Sequence, residues 1–236
     1  MDKNNEKAVI LLSGGLDSTT VLAIARDLGF ACYCLSFAYG QRQHIELERA
    51  KATAVRMGAS AHLVLRLDLD KIGGSALTTD QAVPKMRSAE EIGRGAAPVT
   101  YVPARNTIFL SHAVAWAEVL GAFDIFVGVN ALDYSGYPDC RPQFLAAMEE
   151  VANLGTQAGT SAGRRFQIHA PLMELTKKEI IERGRALGVD YATTHSCYDP
   201  APDGLSCGAC DACLLRRKGF REAGLVDPLV YQEDRQ

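Results

Sequence analysis

The chain has 236 residues, 47% of them hydrophobic, which suits a globular protein of one large domain or one domain with an appendage. Its formal net charge is −3, with neither the basic surplus nor the basic stripe of a non-specific nucleic-acid binder, so direct nucleic-acid binding is not expected. No run of about 18 apolar residues suggests a membrane span. The opening "MDKNNEKAVILL" is too briefly apolar for a signal peptide, so a cytoplasmic protein without membrane partners is expected.

In chain order, "KAVILL" (7–12) is a short β-rich apolar run that reads as a buried strand. Residues 18–28 carry apolar side chains at helical spacing, and Gly29 can stop that helix. "FACYCLSF" (30–37) reads as a second strand, 42–58 as a charged amphipathic helix and "HLVLRLDL" (62–69) as an alternating third strand. Residues 71–105 lack periodicity, and a loop of that length is functional or mobile. A helix over 107–121, a strand over 124–130, a helix over 142–155, a flexible connection over 156–165 and a strand over 166–172 follow. The last predicted helix, 176–188, opens with a capping box of Thr176 and Glu179. Strands alternating with helices predict an α/β fold built on a doubly wound parallel sheet. Ligands in such sheets bind beyond the carboxyl ends of strands, which singles out the loops 13–18, 38–44, 99–106 and 130–141.

The first of these loops lies in "LLSGGLDSTT" (11–20). Gly14 and Gly15 permit positive φ and close backbone approach, and successive N–H groups form an anion nest at the start of a helix. Ser13 and Ser18 add hydroxyls, and Asp17 can cap the helix or hold a divalent cation. A phosphate cradle and a plain strand-to-helix turn both remain open from these residues alone. No Gly-Lys pair and no G-x-G-x-x-G occur, which excludes a Walker loop and leaves a dinucleotide site unsupported.

Seven cysteines are present, and Cys197, Cys207, Cys210 and Cys213 form C-x9-C-x2-C-x2-C. Four thiolates at this spacing suit a closed, structural zinc site better than an iron–sulfur cluster. That site would staple a tail lacking a core of its own. His195 is a possible extra ligand or a hydrogen-bonding neighbour. Cys32 and Cys34 share one strand face and read as core residues, whereas Cys140 sits in a candidate ligand loop.

Ser13-Gly14-Gly15-Leu16-Asp17-Ser18-Thr19 resembles the SGGxDS signature of the PP-loop ATP pyrophosphatases. With "YGQRQHIELERA", "YVPARN", "GVNALDYSGYPDCRP", "PLMELTKKEI" and the four-cysteine tail, the chain resembles the 7-cyano-7-deazaguanine synthase (QueC) family over roughly residues 8–220. The resemblance implies a Rossmann-like, adenine nucleotide alpha hydrolase-like catalytic domain (1–190) and a zinc-binding region (191–236). It implies an ATP-dependent carbon–nitrogen ligase that adenylates 7-carboxy-7-deazaguanine, forms an amide with ammonia and activates the amide again to give the nitrile, a step toward queuosine. Leu12, Ser13, Gly14, Gly15, Leu16, Asp17, Ser18 and Thr19 would hold ATP, with Arg105 and Lys177 meeting its phosphates. Asp17, Arg105 and Lys177 would carry the catalysis, with Mg2+ beside Asp17. Tyr39, Arg42 and His44 would contact the substrate. So would Asp133, Tyr134, Ser135, Tyr137 and Asp139, as ring faces and edge acceptors, and Arg141, as a partner for carboxylate or phosphate. A homodimer is implied, with ammonia supplied free or by a partner. Ala104 stands where many members are expected to have glycine. The competing readings are a PP-loop enzyme that adenylates tRNA for thiolation or a related modification, and a binding module without turnover.

Overall fold

The computed structural model describes residues 5–41, 45–88, 91–92, 97–131, 136–161 and 163–235. Five strands form one all-parallel sheet in the order β3-β2-β1-β4-β5. They are β1 (Lys7–Leu11), β2 (Ala31–Ala38), β3 (Ala61–Arg66), β4 (Asp124–Phe126) and β5 (Gln167–His169). The chain winds outward from β1 to β3, returns, and winds the other way through β4 and β5. The direction switches between β1 and β4, where a crevice opens beyond their carboxyl ends.

β1 explains its own composition. Val9 and Leu11 point into a core shared with Leu35, Phe37, Ile125 and Leu110, while Ala8 and Ile10 point into a second core with Phe126, Leu22, Ile180 and Ile181. A strand covered on both faces reads as a continuous apolar run. Helix α3 (Arg105–Leu120) packs in the first core, whereas α1 (Leu16–Asp27) and α6 (Lys177–Ala186) pack in the second. Cys32 and Cys34 both lie in the second core, and burial pushes their thiols up to about 12.

The predicted helices over 42–58, 107–121, 142–155 and 176–188 appear as α2 (Ile45–Arg56), α3, α4 (Pro142–Gly155) and α6. The α6 capping box forms as expected: Thr176 Oγ1 accepts from the Glu179 N–H, and Glu179 Oε2 accepts from the Thr176 N–H at 2.7 Å. The connection over 156–165 contains one helical turn, α5 (Gln157–Thr160), capped by Thr156. Helix α7 (Asp211–Glu222) was not predicted, because it opens between Cys210 and Cys213, which read as metal ligands.

The described part of segment 71–105 is irregular, as expected, and is anchored by Ala76, Leu77, Val83 and Val102, which are buried in the first core. Among the described residues the tail packs into the cores of the sheet and not around one of its own, as expected. Its four cysteines belong to the first core, and Arg216 of α7 is buried against Asp227 at 2.9 Å, Thr194 and the Tyr191 carbonyl. No helix of the described residues is long and apolar enough to cross a membrane.

Candidate active site

The glycine turn runs from the end of β1 into α1. Gly14 has φ +85°, and a Cβ there would lie 2.5 Å from the Glu46 carbonyl oxygen, so backbone conformation and packing both demand glycine. The loop's N–H groups meet hydroxyls: Ser13 N–H donates to Ser18 Oγ (3.1 Å), Gly15 N–H to Ser13 Oγ (3.3 Å) and Leu16 N–H to Ser196 Oγ (3.3 Å). Gly128, just past β4, lets the sheet edge close on the start of α1, since a Cβ there would sit 3.3 Å from Ser18 N.

Lys177 begins α6 and donates from Nζ to Asp17 Oδ1 at 2.7 Å. The lysine is buried, and its methylene stem lies where a Cβ on Gly219 of α7 would be, 2.5 Å from Lys177 Cγ. An absent side chain on one helix thus makes room for a charged one on another.

A cavity of about 210 Å³ opens at the β1/β4 switch. Glycine-loop residues form one part of its wall; Tyr39, Arg105, Tyr137 and Tyr198 form another. Arg105 is the first residue of α3, and Ala104 before it adopts φ +54°, its N–H held by Tyr101 Oη at 3.0 Å. Arg105 Nη1 donates to Tyr39 Oη at 3.4 Å. Burial opposes the guanidinium charge, and the phenols of Tyr39, Tyr137 and Tyr198 more than offset it, so the group is held above its ordinary value. Burial pushes the phenols of Tyr39 and Tyr137 up, and both stay neutral.

The four predicted metal ligands meet. The Sγ atoms of Cys197, Cys207, Cys210 and Cys213 lie within 4.8 Å of one another, all on buried residues. Backbone N–H groups point at the sulfurs: Tyr198 N–H donates to Cys210 Sγ (3.4 Å), Cys207 N–H to Cys197 Sγ (3.2 Å) and Cys210 N–H to Cys207 Sγ (3.3 Å). Such donors stabilise thiolates, so this donor set fits a tetrahedral zinc ion. His195 is not part of the set. Its N–H donates to the Gly14 carbonyl at 2.9 Å, and burial pushes its imidazole down to about 4.

The family model described as "Queuosine biosynthesis protein QueC" matches residues 7–224. The chain belongs to this family. The 7-cyano-7-deazaguanine synthase of Geotalea daltonii is 67% identical over 226 residues, 96% of each chain. That of Syntrophotalea carbinolica is 61% identical over 230 residues, 98% of each chain. Among solved structures, NMN synthetase from Francisella tularensis superposes with a TM-score of 0.51 at 19% identity, over 94% of this chain and 74% of that one, a likeness of fold.

In this QueC-family chain the predicted site residues distribute unevenly. Leu12, Ser13, Gly15, Leu16, Asp17, Ser18, Tyr39, Arg105 and Tyr137 line the cavity. Gly14 packs behind the loop against α2, and Thr19 is buried within α1. Lys177 reaches the wall through Asp17. Asp139 is not in the lining but is buried beside it: its Oδ2 accepts from the N–H of Asn106, a lining residue, at 3.0 Å. Arg141 is exposed at the start of α4, next in sequence to Cys140 of the lining. Arg42, His44, Asp133, Tyr134 and Ser135 lie outside the described residues. Sequence reasoning missed Gln41, Phe109, Asn130, Ser196 and Tyr198 in the lining. The neighbours of Cys197 read only as flanks of a metal knuckle.

Proposed function

We propose that this enzyme is a 7-cyano-7-deazaguanine synthase, converting 7-carboxy-7-deazaguanine, ammonia and ATP to the nitrile. Family membership supplies the reaction class. The observation that carries the reading here is one cavity walled by both the glycine loop, with its Asp17–Lys177 pair, and an arginine among tyrosines.

The substrate carboxylate attacks the α-phosphorus of ATP, giving an acyl adenylate and pyrophosphate. Ammonia adds to the acyl carbon, AMP leaves and a proton is lost, giving the amide. The amide oxygen then attacks a second ATP. Loss of AMP and the remaining N–H protons leaves the nitrile. In each half the departing pyrophosphate gathers charge. The loop N–H groups, now held by serine hydroxyls at 3.1–3.3 Å, would exchange those neutral acceptors for charged phosphate oxygens, which bind more strongly. The missing Walker lysine fits this chemistry, because no terminal phosphoryl group is transferred. Lys177 and the start of α1 add positive potential there.

Asp17 and Glu46 are the acids of the lining, a donor set that fits a magnesium ion carried mainly by phosphates. When bound, that ion would neutralise pyrophosphate charge. Zinc on the four cysteines would be structural, since four protein ligands leave no open position. The proposal extends to a catalytic part over 1–190 and a zinc-binding part over 191–236, to a cytoplasmic homodimer, and to ammonia supplied free or by a partner. The tRNA-modifying alternative finds no support in the family match.

The test is incubation with ATP, magnesium, ammonium and the carboxy-deazaguanine, followed by mass spectrometry. The nitrile and AMP are expected. Unchanged substrate with no AMP would overturn the proposal.

A further inference from the structure

Two cations of the described site differ in one respect. Lys177 has its countercharge in Asp17, at 2.7 Å. Arg105 has no carboxylate within ion-pair distance among the described residues; its neighbours are phenols. Tyr39 offers an oxygen at 3.4 Å and a ring face whose centroid is 6.0 Å from the guanidinium carbon. Tyr39 and Tyr137 are buried, with phenols that stay neutral, so the cage supplies dipoles and π density and no negative charge. Arg105 is half-buried at the cavity wall, and a guanidinium that faces a cavity among neutral groups offers its planar fork to an oxyanion with two oxygens.

Position says which anion. The glycine loop leads into α1, on the sheet face shared with α6 and Lys177. Arg105 starts α3, and Tyr39 and Tyr137 lie in the core on the opposite face. The phosphate-binding elements and the arginine–tyrosine cage therefore approach the cavity from opposite sides of the sheet. Left-handed Ala104 fixes the turn that delivers Arg105.

We propose that Arg105 reads the carboxylate of the acid substrate and thereby serves the first half of the reaction specifically. The inference rests on the function proposed above. The acid enters as an anion, whereas the intermediate amide is neutral, so a residue that binds the carboxylate discriminates between the two halves. A residue that binds ATP serves both halves equally, because each consumes one ATP.

The experiment compares free acid and free amide as ligands and substrates of wild type, Arg105→Gln and Arg105→Lys. Titration calorimetry without ATP should show acid affinity falling about 30-fold in Arg105→Gln, with amide affinity changed less than about threefold. The kcat/KM for the acid should fall at least about tenfold further than that for the amide. Arg105→Lys, which keeps the charge and loses the fork, should lie between. Equal losses on acid and amide, or no loss on either, would overturn the assignment; equal losses would point to a nucleotide or structural role. Should Arg105→Gln not fold, Tyr39→Phe removes the phenol that holds the guanidinium and should weaken the acid selectively; an equal effect on both ligands would also overturn it. Wild type binding neither ligand would sink the proposed function instead.

Discussion

Lys177 Nζ lies 2.7 Å from Asp17 Oδ1, although 160 residues separate them. The contact ties the start of α6 to the first turn of α1, at the cavity wall. Asp17→Asn keeps the shape and one hydrogen-bond acceptor but removes the charge. AMP formation should fall at least about 100-fold in that variant, while circular dichroism and zinc content stay those of wild type. Near-normal turnover would reduce Asp17 to a helix-start acid. Lys177→Met should cost about 1–3 kcal/mol of stability as well, because it leaves a half-buried carboxylate unpaired.

Ala104 occupies the left-handed region at φ +54°. An L-residue there costs about 1–2 kcal/mol, which glycine avoids, while glycine's looser unfolded chain returns part of that gain. Ala104→Gly should raise stability by about 0.5–1 kcal/mol in urea denaturation. A loss of stability would show that the alanine methyl contributes more in packing than the backbone costs.

Cys140 lines the cavity, and burial pushes its thiol up to about 12, with Asp139 adding to the shift. So little thiolate exists at pH 8 that alkylation by iodoacetamide should run on the order of 10³-fold slower than for a free thiol. Peptide mapping after timed labelling checks this. Rapid native-state labelling would place a reactive nucleophile in the site.

Arg216 and Asp227 form a buried pair: Arg216 Nε lies 2.9 Å from Asp227 Oδ2, and the two side chains are 2% and 8% exposed. Arg216→Met removes the countercharge of Asp227 and leaves that buried carboxylate with only the Tyr231 hydroxyl and the Leu229 N–H. It should destabilise the chain by about 3–5 kcal/mol in chemical denaturation, even with zinc retained. A smaller loss would mean that water reaches Asp227 once the arginine is gone.

The scaffold was largely legible because its signals are local. β1 and β2 announce themselves as apolar runs, since both their faces are buried, and α6 announces itself by its cap. The β4 strand was read too long because Val127 and Val129 continue its β-branched character as the chain leaves the sheet for the cavity wall. The contact of Asp139 with the Asn106 N–H was not legible, because an acid after a strand looks the same whatever donor it meets. Tyr198 and Ser196 were missed because they reach the cavity through tertiary structure, beside a cysteine whose own spacing commanded the reading.

Residues 195–198 leave no slack. His195 bonds to Gly14, Ser196 to Leu16, Cys197 joins the sulfur tetrad, and Tyr198 faces the cavity while its N–H bonds to Cys210 Sγ, so each consecutive residue is committed. A single inserted residue would shift every later partner out of register, whichever end of the segment received it. Chain length between the nucleotide loop's lining and the metal knuckle is thereby as constrained as side-chain identity, whereas the more exposed turn over 202–205 can absorb a change in length.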